Sequence, residues 1–97
     1  MLIKAGVDIS RLNREIRRSL PWAESVYNQY QKRFVVTSTY EGNHGAGSLH
    51  YANEAYDLEL PVIGGNKIYQ GMKNTFPDTF DIVLERDHIH VEHDPKK

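Results

Sequence analysis

The order of the hydrophobic patterns along the chain constrains its fold most strongly. Apolar residues recur at helical spacing in the first third, on Ile9, Leu12 and Ile16 and then on Trp22, Val26 and Tyr30. The rest of the chain holds short segments rich in β-branched and aromatic residues, which favour strands. Helices first and strands afterwards predict an α+β domain with a small antiparallel sheet and N-terminal helices.

The individual elements follow from local signals. We expect a first amphipathic helix over 8–18, with Asp8 or Ser10 as its cap, and a second helix from about Pro21, because proline suits the first turn of a helix. The apolar stripes of both helices should be core. The remaining predictions are strands over 33–40 and 54–60, a helix over 66–76, and either two β segments or one bent strand over 80–85 and 87–92.

Composition excludes several classes of protein. The 97 residues allow a single domain, 1–97, and the absence of cysteine excludes disulfides, zinc ribbons and thiol nucleophiles. A formal net charge of −1 argues against a nucleic-acid partner. No apolar run is long enough to cross a membrane, and the N-terminus does not resemble a secretory signal. We therefore expect neither nucleic acid nor membrane as a partner, and synthesis in a cytoplasm with release by other means.

Histidines and carboxylates are concentrated in two stretches, Ser48–Leu58 and Asp87–Glu92. A catalytic zinc ion takes three ligands from His, Asp and Glu and leaves a position for water, and a nearby carboxylate can accept a proton from that water. His50, Asp57 and His90 can supply the three ligands, and Asp87 or Glu85 the proton acceptor.

Other assignments of the histidines remain open. His88 alternates with Ile89 and shares a strand face with His90, so it could be the ligand instead. His93 and His44 are expected at the solvent-exposed surface. His44 nevertheless lies in the glycine-rich loop just before the first stretch, where it could contact a substrate.

The two stretches resemble the motifs of a zinc peptidase family. Ser48, His50, Ala55, Asp57 and Leu58 match the pattern Ser-x-His-x-x-Gly-x-Ala-x-Asp-Leu, and the second stretch matches a carboxylate-x-x-His motif that ends in His-x-Glu. The family comprises D-alanyl-D-alanine carboxypeptidases, dipeptidases and L-alanyl-D-glutamate endopeptidases, which share a fold with the hedgehog signalling domain. The resemblance covers about residues 34–94.

The resemblance implies a role for each matching residue. His50, Asp57 and His90 would bind one zinc ion per chain, and Asp87 would be the general base and acid. Ser48 would position substrate or support the loop that carries a metal ligand. Glu92 would contact a metal-binding side chain without binding the metal itself.

Two residues depart from the family pattern. Glu41 stands where many members carry an arginine that polarises the scissile carbonyl, and Asn53 replaces a glycine. Asparagine tolerates positive φ better than other non-glycine residues, so the turn can survive.

The implied function is zinc-dependent hydrolysis of a peptide bond in the stem peptide of bacterial peptidoglycan, as in a phage lysin or a cytoplasmic recycling enzyme. The missing arginine supports a rival, an inactive zinc-binding module of the same fold. A second rival is a non-haem iron oxygenase, which also uses two histidines and a carboxylate, although its usual His-x-Asp spacing is absent. The bond that is cut and the oligomeric state stay open.

Overall fold

The computed structural model describes residues 1–40 and 53–95. Within these ranges the chain forms an α+β fold, as predicted, and its sheet has five strands. Its elements are, in chain order, β1 (Leu2–Ile3), α1 (Arg14–Arg18), α2 (Leu20–Gln29), β2 (Val35–Ser38), β3 (Ala55–Glu59), α3 (Gly65–Thr75), β4 (Phe80–Leu84) and β5 (His88–His93).

The sheet is mixed, so the prediction of an antiparallel sheet is only partly correct. Its strand order is β1-β2-β3-β5-β4, and β2, β3, β5 and β4 pair antiparallel. The short β1 pairs parallel with β2, through Leu2 opposite Val35 and Ile3 opposite Val36. Two residues are too few to show an alternating pattern, so β1 gave no recognisable sequence signal.

The C-terminal segments form two strands of a hairpin rather than one bent strand. β4 and β5 pair from Phe80 opposite His93 to Leu84 opposite Ile89, and the amide of Glu85 donates a hydrogen bond to the carbonyl of His88. Asp87 lies in the tight turn between these two residues, just before the start of β5, and not within the strand as predicted.

The first helix is shorter than predicted. The amide of Ser10 donates to Oδ1 of Asp8 at 2.9 Å, so the Asp8 side chain stabilises a turn instead of capping a helix. Helix α1 starts only after Asn13, whose side chain makes no capping hydrogen bond. Leu12 and Ile16 are nevertheless buried, as the apolar stripe predicted, and Ile9 is partly buried.

The three helices pack against one face of the sheet. Leu58, Ile89 and Val91 on the strands are fully buried beneath Ile68 and Met72 of α3 and the apolar residues of α1 and α2. We call this side of the sheet the inner face. Because successive strand residues point to opposite sides, Asp57, His88, His90 and Glu92 lie on the other side, the outer face.

Helix α2 agrees with its prediction except at Trp22. Pro21 lies in its first turn and Val26 is buried. Trp22 is 38% exposed, because it covers the edge of the core and packs edge-on against Phe76 and Phe80. Where α2 crosses α3, a Cβ on Gly71 would lie 2.9 Å from a methyl of Val26, so glycine permits the close approach.

None of the helices in the described ranges has the length and apolar character needed to cross a bilayer.

Candidate metal centre

Two of the predicted zinc ligands face each other across neighbouring strands. Asp57 on β3 is directly opposite His90 on β5 in the antiparallel register, and directly opposite residues share a face. Oδ1 of Asp57 is 3.0 Å from Nδ1 of His90. The fold therefore brings together two residues that are 33 positions apart in the chain.

The separation of these two atoms suits a shared metal ion. Zinc–nitrogen and zinc–oxygen bonds of about 2.0–2.2 Å at a tetrahedral angle place two ligand atoms about 3.3 Å apart. The observed distance is within a few tenths of an ångström of that value. Asp57 and His90 thus fit half of a tetrahedral zinc site with small side-chain adjustments.

Glu92 holds the other side of the same imidazole ring. Its Oε1 is 2.7 Å from Nε2 of His90, two residues earlier on the same face of β5. A metal-binding histidine commonly donates its second N–H to a carboxylate, which orients the ring and raises its basicity. Glu92 is therefore in contact with the ring that the resemblance assigns as a ligand.

The two carboxylates change the titration of His90. Burial of the ring lowers its pKa, but hydrogen bonds to Asp57 and Glu92, together with their negative charges, outweigh burial and raise the pKa above its ordinary value. A doubly protonated ring can donate one hydrogen bond to each carboxylate. A metal ion that binds Nδ1 must therefore compete with a proton.

Asp87 lies in the turn before β5, at the margin of this cluster. Its carboxylate is 86% exposed and accepts a hydrogen bond at 2.7 Å from Nδ1 of His88. That hydrogen bond, followed by the charge of the ring, lowers the pKa of Asp87. Nε2 of His88 is in turn 3.8 Å from Oδ2 of Asp57, so His88 connects the turn to the candidate ligand pair.

Four residues named in the sequence predictions lie outside the described ranges. They are the third predicted ligand His50, the predicted substrate contacts Ser48 and His44, and Glu41 in the position of the family arginine. The described chain resumes at Asn53, which has a φ of 61°. The turn conformation expected where the family has glycine is therefore present.

Sequence reasoning missed an acidic group beside the site. Carboxylate oxygens of Asp81, Glu92 and Asp94 lie within 4.8 Å of one another, so these three residues could hold a metal ion. Asp81 is directly opposite Glu92 in the β4–β5 hairpin, and Asp94 follows Glu92 by two residues. The alternation of Glu92 and Asp94 was visible in the sequence, but the contribution of Asp81 required the hairpin register.

The prediction that His93 is solvent-exposed is wrong. Its side chain is 12% exposed, Nδ1 lies 3.2 Å from Oε2 of Glu54, and the ring packs against Phe80. Glu54 also accepts a hydrogen bond from the side chain of Asn13, and the amide of Asn13 donates to the carbonyl of Asn53. These contacts attach the segment before β3 to α1 and to the end of β5.

No protein-family model matches the chain, and neither a curated protein nor a solved structure is similar enough to count as a match.

Proposed function

We propose that the protein is a zinc-dependent peptidase that hydrolyses a peptide bond in the stem peptide of bacterial peptidoglycan. The observation that carries the proposal is the 3.0 Å approach of Asp57 Oδ1 to His90 Nδ1, between two residues that the motif resemblance assigns independently as ligands. The α+β fold and the positive φ of Asn53 agree with the same resemblance.

Asp57, His90 and His50 are the proposed ligands of the zinc ion. When bound, zinc supplies Lewis acidity toward the scissile carbonyl and lowers the pKa of water to about 7. Glu92 keeps the ring of His90 oriented through Nε2, and Asp57 uses its second oxygen to face His88. The fit rests on the nitrogen and oxygen donors, which suit zinc in a cysteine-free chain.

Asp87 is the proposed general base and acid. Its carboxylate is ionised at neutral pH, as a proton acceptor must be, although the hydrogen bond from His88 lowers its pKa and makes it a weaker base than an ordinary aspartate. The carboxylate accepts the proton of the attacking water and returns it to the nitrogen of the leaving amine. The Asp87–His88–Asp57 connection positions the turn beside the proposed ligands.

One observation favours the rival function, a zinc-binding module without catalysis. The carboxylate of Asp87 is 86% exposed and its hydrogen bond goes to His88, not toward His90. A binding module needs a metal ion but no proton acceptor beside it. It is therefore compatible with an Asp87 side chain that faces solvent and His88.

Digestion of purified peptidoglycan with mass spectrometry of the released peptides tests the proposal. We expect Asp87→Asn to fold normally, retain zinc, and lose activity by about 10²–10⁴-fold, the usual contribution of a general base. Glu15→Gln, which removes an exposed carboxylate from α1, is the matched control and should keep full activity.

Each other outcome points to a different assignment. Activity near that of the wild type would remove the base role from Asp87, and Glu85→Gln then tests the alternative. Loss of zinc from Asp87→Asn would make Asp87 a ligand. A wild-type protein that is fully loaded with zinc yet inactive on every cell-wall substrate would overturn the peptidase proposal in favour of the binding module.

A further inference from the structure

Among residues 1–40 and 53–95, strand β4 forms an open edge of the sheet. It is five residues long and lies at one end of the strand order, whereas the opposite edge, β1, has only two residues. Four of its five residues are apolar, and Val83 and Leu84 are 40% and 38% exposed. Proteins normally shorten, charge or cover such an edge, because its unpaired backbone groups can pair with another strand.

The hydrogen bonds of β4 show which backbone groups face outward. The amide of Glu85 donates to His88, and the amide of Asp94 donates to the carbonyl of Thr79. In an antiparallel ladder such pairs recur at every second residue, so residues 79, 81, 83 and 85 direct their backbone groups toward β5. Those of Ile82 and Leu84, with the carbonyl of Phe80, point away from β5 along the open edge.

We propose that β4 pairs antiparallel with β4 of a second copy of this chain, about a twofold axis at Ile82. This register places Phe80 opposite Leu84 of the second copy and pairs the two Ile82 residues. Each Ile82 amide then donates to the other Ile82 carbonyl, and each Leu84 amide donates to the Phe80 carbonyl across the axis. The result is one continuous sheet of ten strands, counting the five described strands of each copy.

Two surface pockets lie beside β4, next to the residues that this register brings together. One, of about 380 Å³, is lined by Phe80 and Ile82 with the end of α3, and the other, of about 550 Å³, is lined by Leu84 with the start of α3. Directly opposite residues share a face. Leu84 of the second copy therefore lies at the mouth of the first pocket, and Phe80 of the second copy lies at the mouth of the second.

The charges at the two ends of β4 are complementary in the same register. Asp78 precedes the strand by two residues and Arg86 follows it by two, so the twofold axis places each opposite the other. Both are exposed, and neither belongs to an ion pair within residues 1–40 and 53–95. A second copy therefore supplies the strand, the apolar alternation and the opposite charges together, which is why we assign it as the occupant.

A charge swap tests the interface without touching the core. In sedimentation equilibrium from about 1 µM to about 1 mM, we expect the wild type to form dimers reversibly. Asp78→Arg and Arg86→Asp each place like charges opposite one another and should weaken dimerisation at least about tenfold. Mixing the two variants restores both pairs, so the mixture should form dimers as well as the wild type. Arg14→Asp, on α1, is the control with the same change of charge.

A cross-link tests the register, since the chain has no cysteine of its own. Thr79 is opposite Glu85 of the second copy in a pair with a Cα separation of about 4.5 Å, which a disulfide can span. Mixed Thr79→Cys and Glu85→Cys proteins should cross-link under mild oxidation. Neither should cross-link with itself, because identical positions are about 20 Å apart.

The inference does not depend on the proposed peptidase activity. A protein that stays monomeric over the whole concentration range would overturn it and leave the edge to a different strand, such as an extended peptide. A dimer that is unaffected by both charge variants, or that cross-links through identical positions, would overturn it as well, because the copies would then meet through another face or register.

Discussion

Replacing Glu92 by Ala should destabilise the metal-free protein, and more so at about pH 5.5 than at about pH 9. Glu92 and Asp57 flank the ring of His90 and raise its pKa in the folded state. A raised pKa stabilises the folded protein fully below the unfolded value, about 6.5 for histidine, and this stabilisation is lost as the pH rises through the folded value. Removing Glu92 therefore has its largest effect on the acidic side.

The magnitude follows from the burial and geometry of the pair. The His90–Glu92 contact is 2.7 Å long, and the side chains are 16% and 23% exposed, so solvent screens it only in part. A hydrogen bond to a charged group contributes about 1.5–3 kcal/mol, and we expect a loss of that size at about pH 5.5. For a chain of this length, it lowers Tm by on the order of 10 °C.

The loss should be much smaller when the ring is neutral. The neutral ring carries a single N–H, so it can donate to only one of Asp57 and Glu92, and the ion pair is lost. The contribution of Glu92 then falls to about 1 kcal/mol or less. Glu92 also lies within 4.8 Å of carboxylate oxygens of Asp81 and Asp94, and its removal relieves their repulsion. That relief acts at both pH values, so the difference between them comes from the charge of His90.

Urea denaturation in the presence of a chelator measures the difference directly. Glu85→Ala, which removes an exposed carboxylate from the β4–β5 turn, is the matched control and should show little change at either pH. An equal loss of unfolding free energy for Glu92→Ala at both pH values, or a larger loss on the alkaline side, would refute the assignment of a charged His90 held between two carboxylates.

Three further predictions use different residues. His50→Ala and His90→Ala should each remove most of the zinc measured by elemental analysis, whereas His93→Ala should retain it; full occupancy in either of the first two variants would contradict the ligand assignment. Asn53→Gly should change the unfolding free energy by less than about 1 kcal/mol, because glycine adopts its φ of 61° without strain, and a loss of several kcal/mol would indicate essential bonds of the Asn side chain. Gly71→Ala should lower the unfolding free energy in urea titrations by about 1 kcal/mol, because the clash of its Cβ with a buried valine on α2 outweighs the gain in helix propensity. A stabilised variant would show that α2 and α3 can move apart freely where they cross.

The strands and longer helices were predictable because their signals are local. Proline marks the start of α2. The segments around Asp57 and His90 have the residue types of strands, and these two residues lie in strands β3 and β5 as predicted. The first helix was overestimated because apolar spacing cannot show that the Asp8 side chain will bind the amide of Ser10 instead. Strand β1 was missed because its partner, β2, is more than thirty residues away.

The candidate site was predictable in its residues but not in its contacts. Motif spacing selected Asp57, His90 and Glu92, yet only the register of β3 against β5 shows that the first two are opposite one another. Asp81 escaped notice for the same reason, since it joins Glu92 only through the hairpin. Pairing between distant segments depends on the packing of the whole sheet, which no short stretch of sequence contains.

The alternation of β3 and β5 places the candidate metal ligands and the hydrophobic core on opposite faces of the same pair of strands. Asp57 and His90 point outward only because their neighbours Leu58 and Ile89, which are also opposite each other, point into the core. A slip of one residue between the strands would turn the polar candidate ligands toward the hydrophobic core and the core residues toward the outer face, at a prohibitive cost. Substitutions that preserve the packing of Leu58 and Ile89 therefore also preserve the alignment of positions 57 and 90 on the outer face, whichever side chains occupy them.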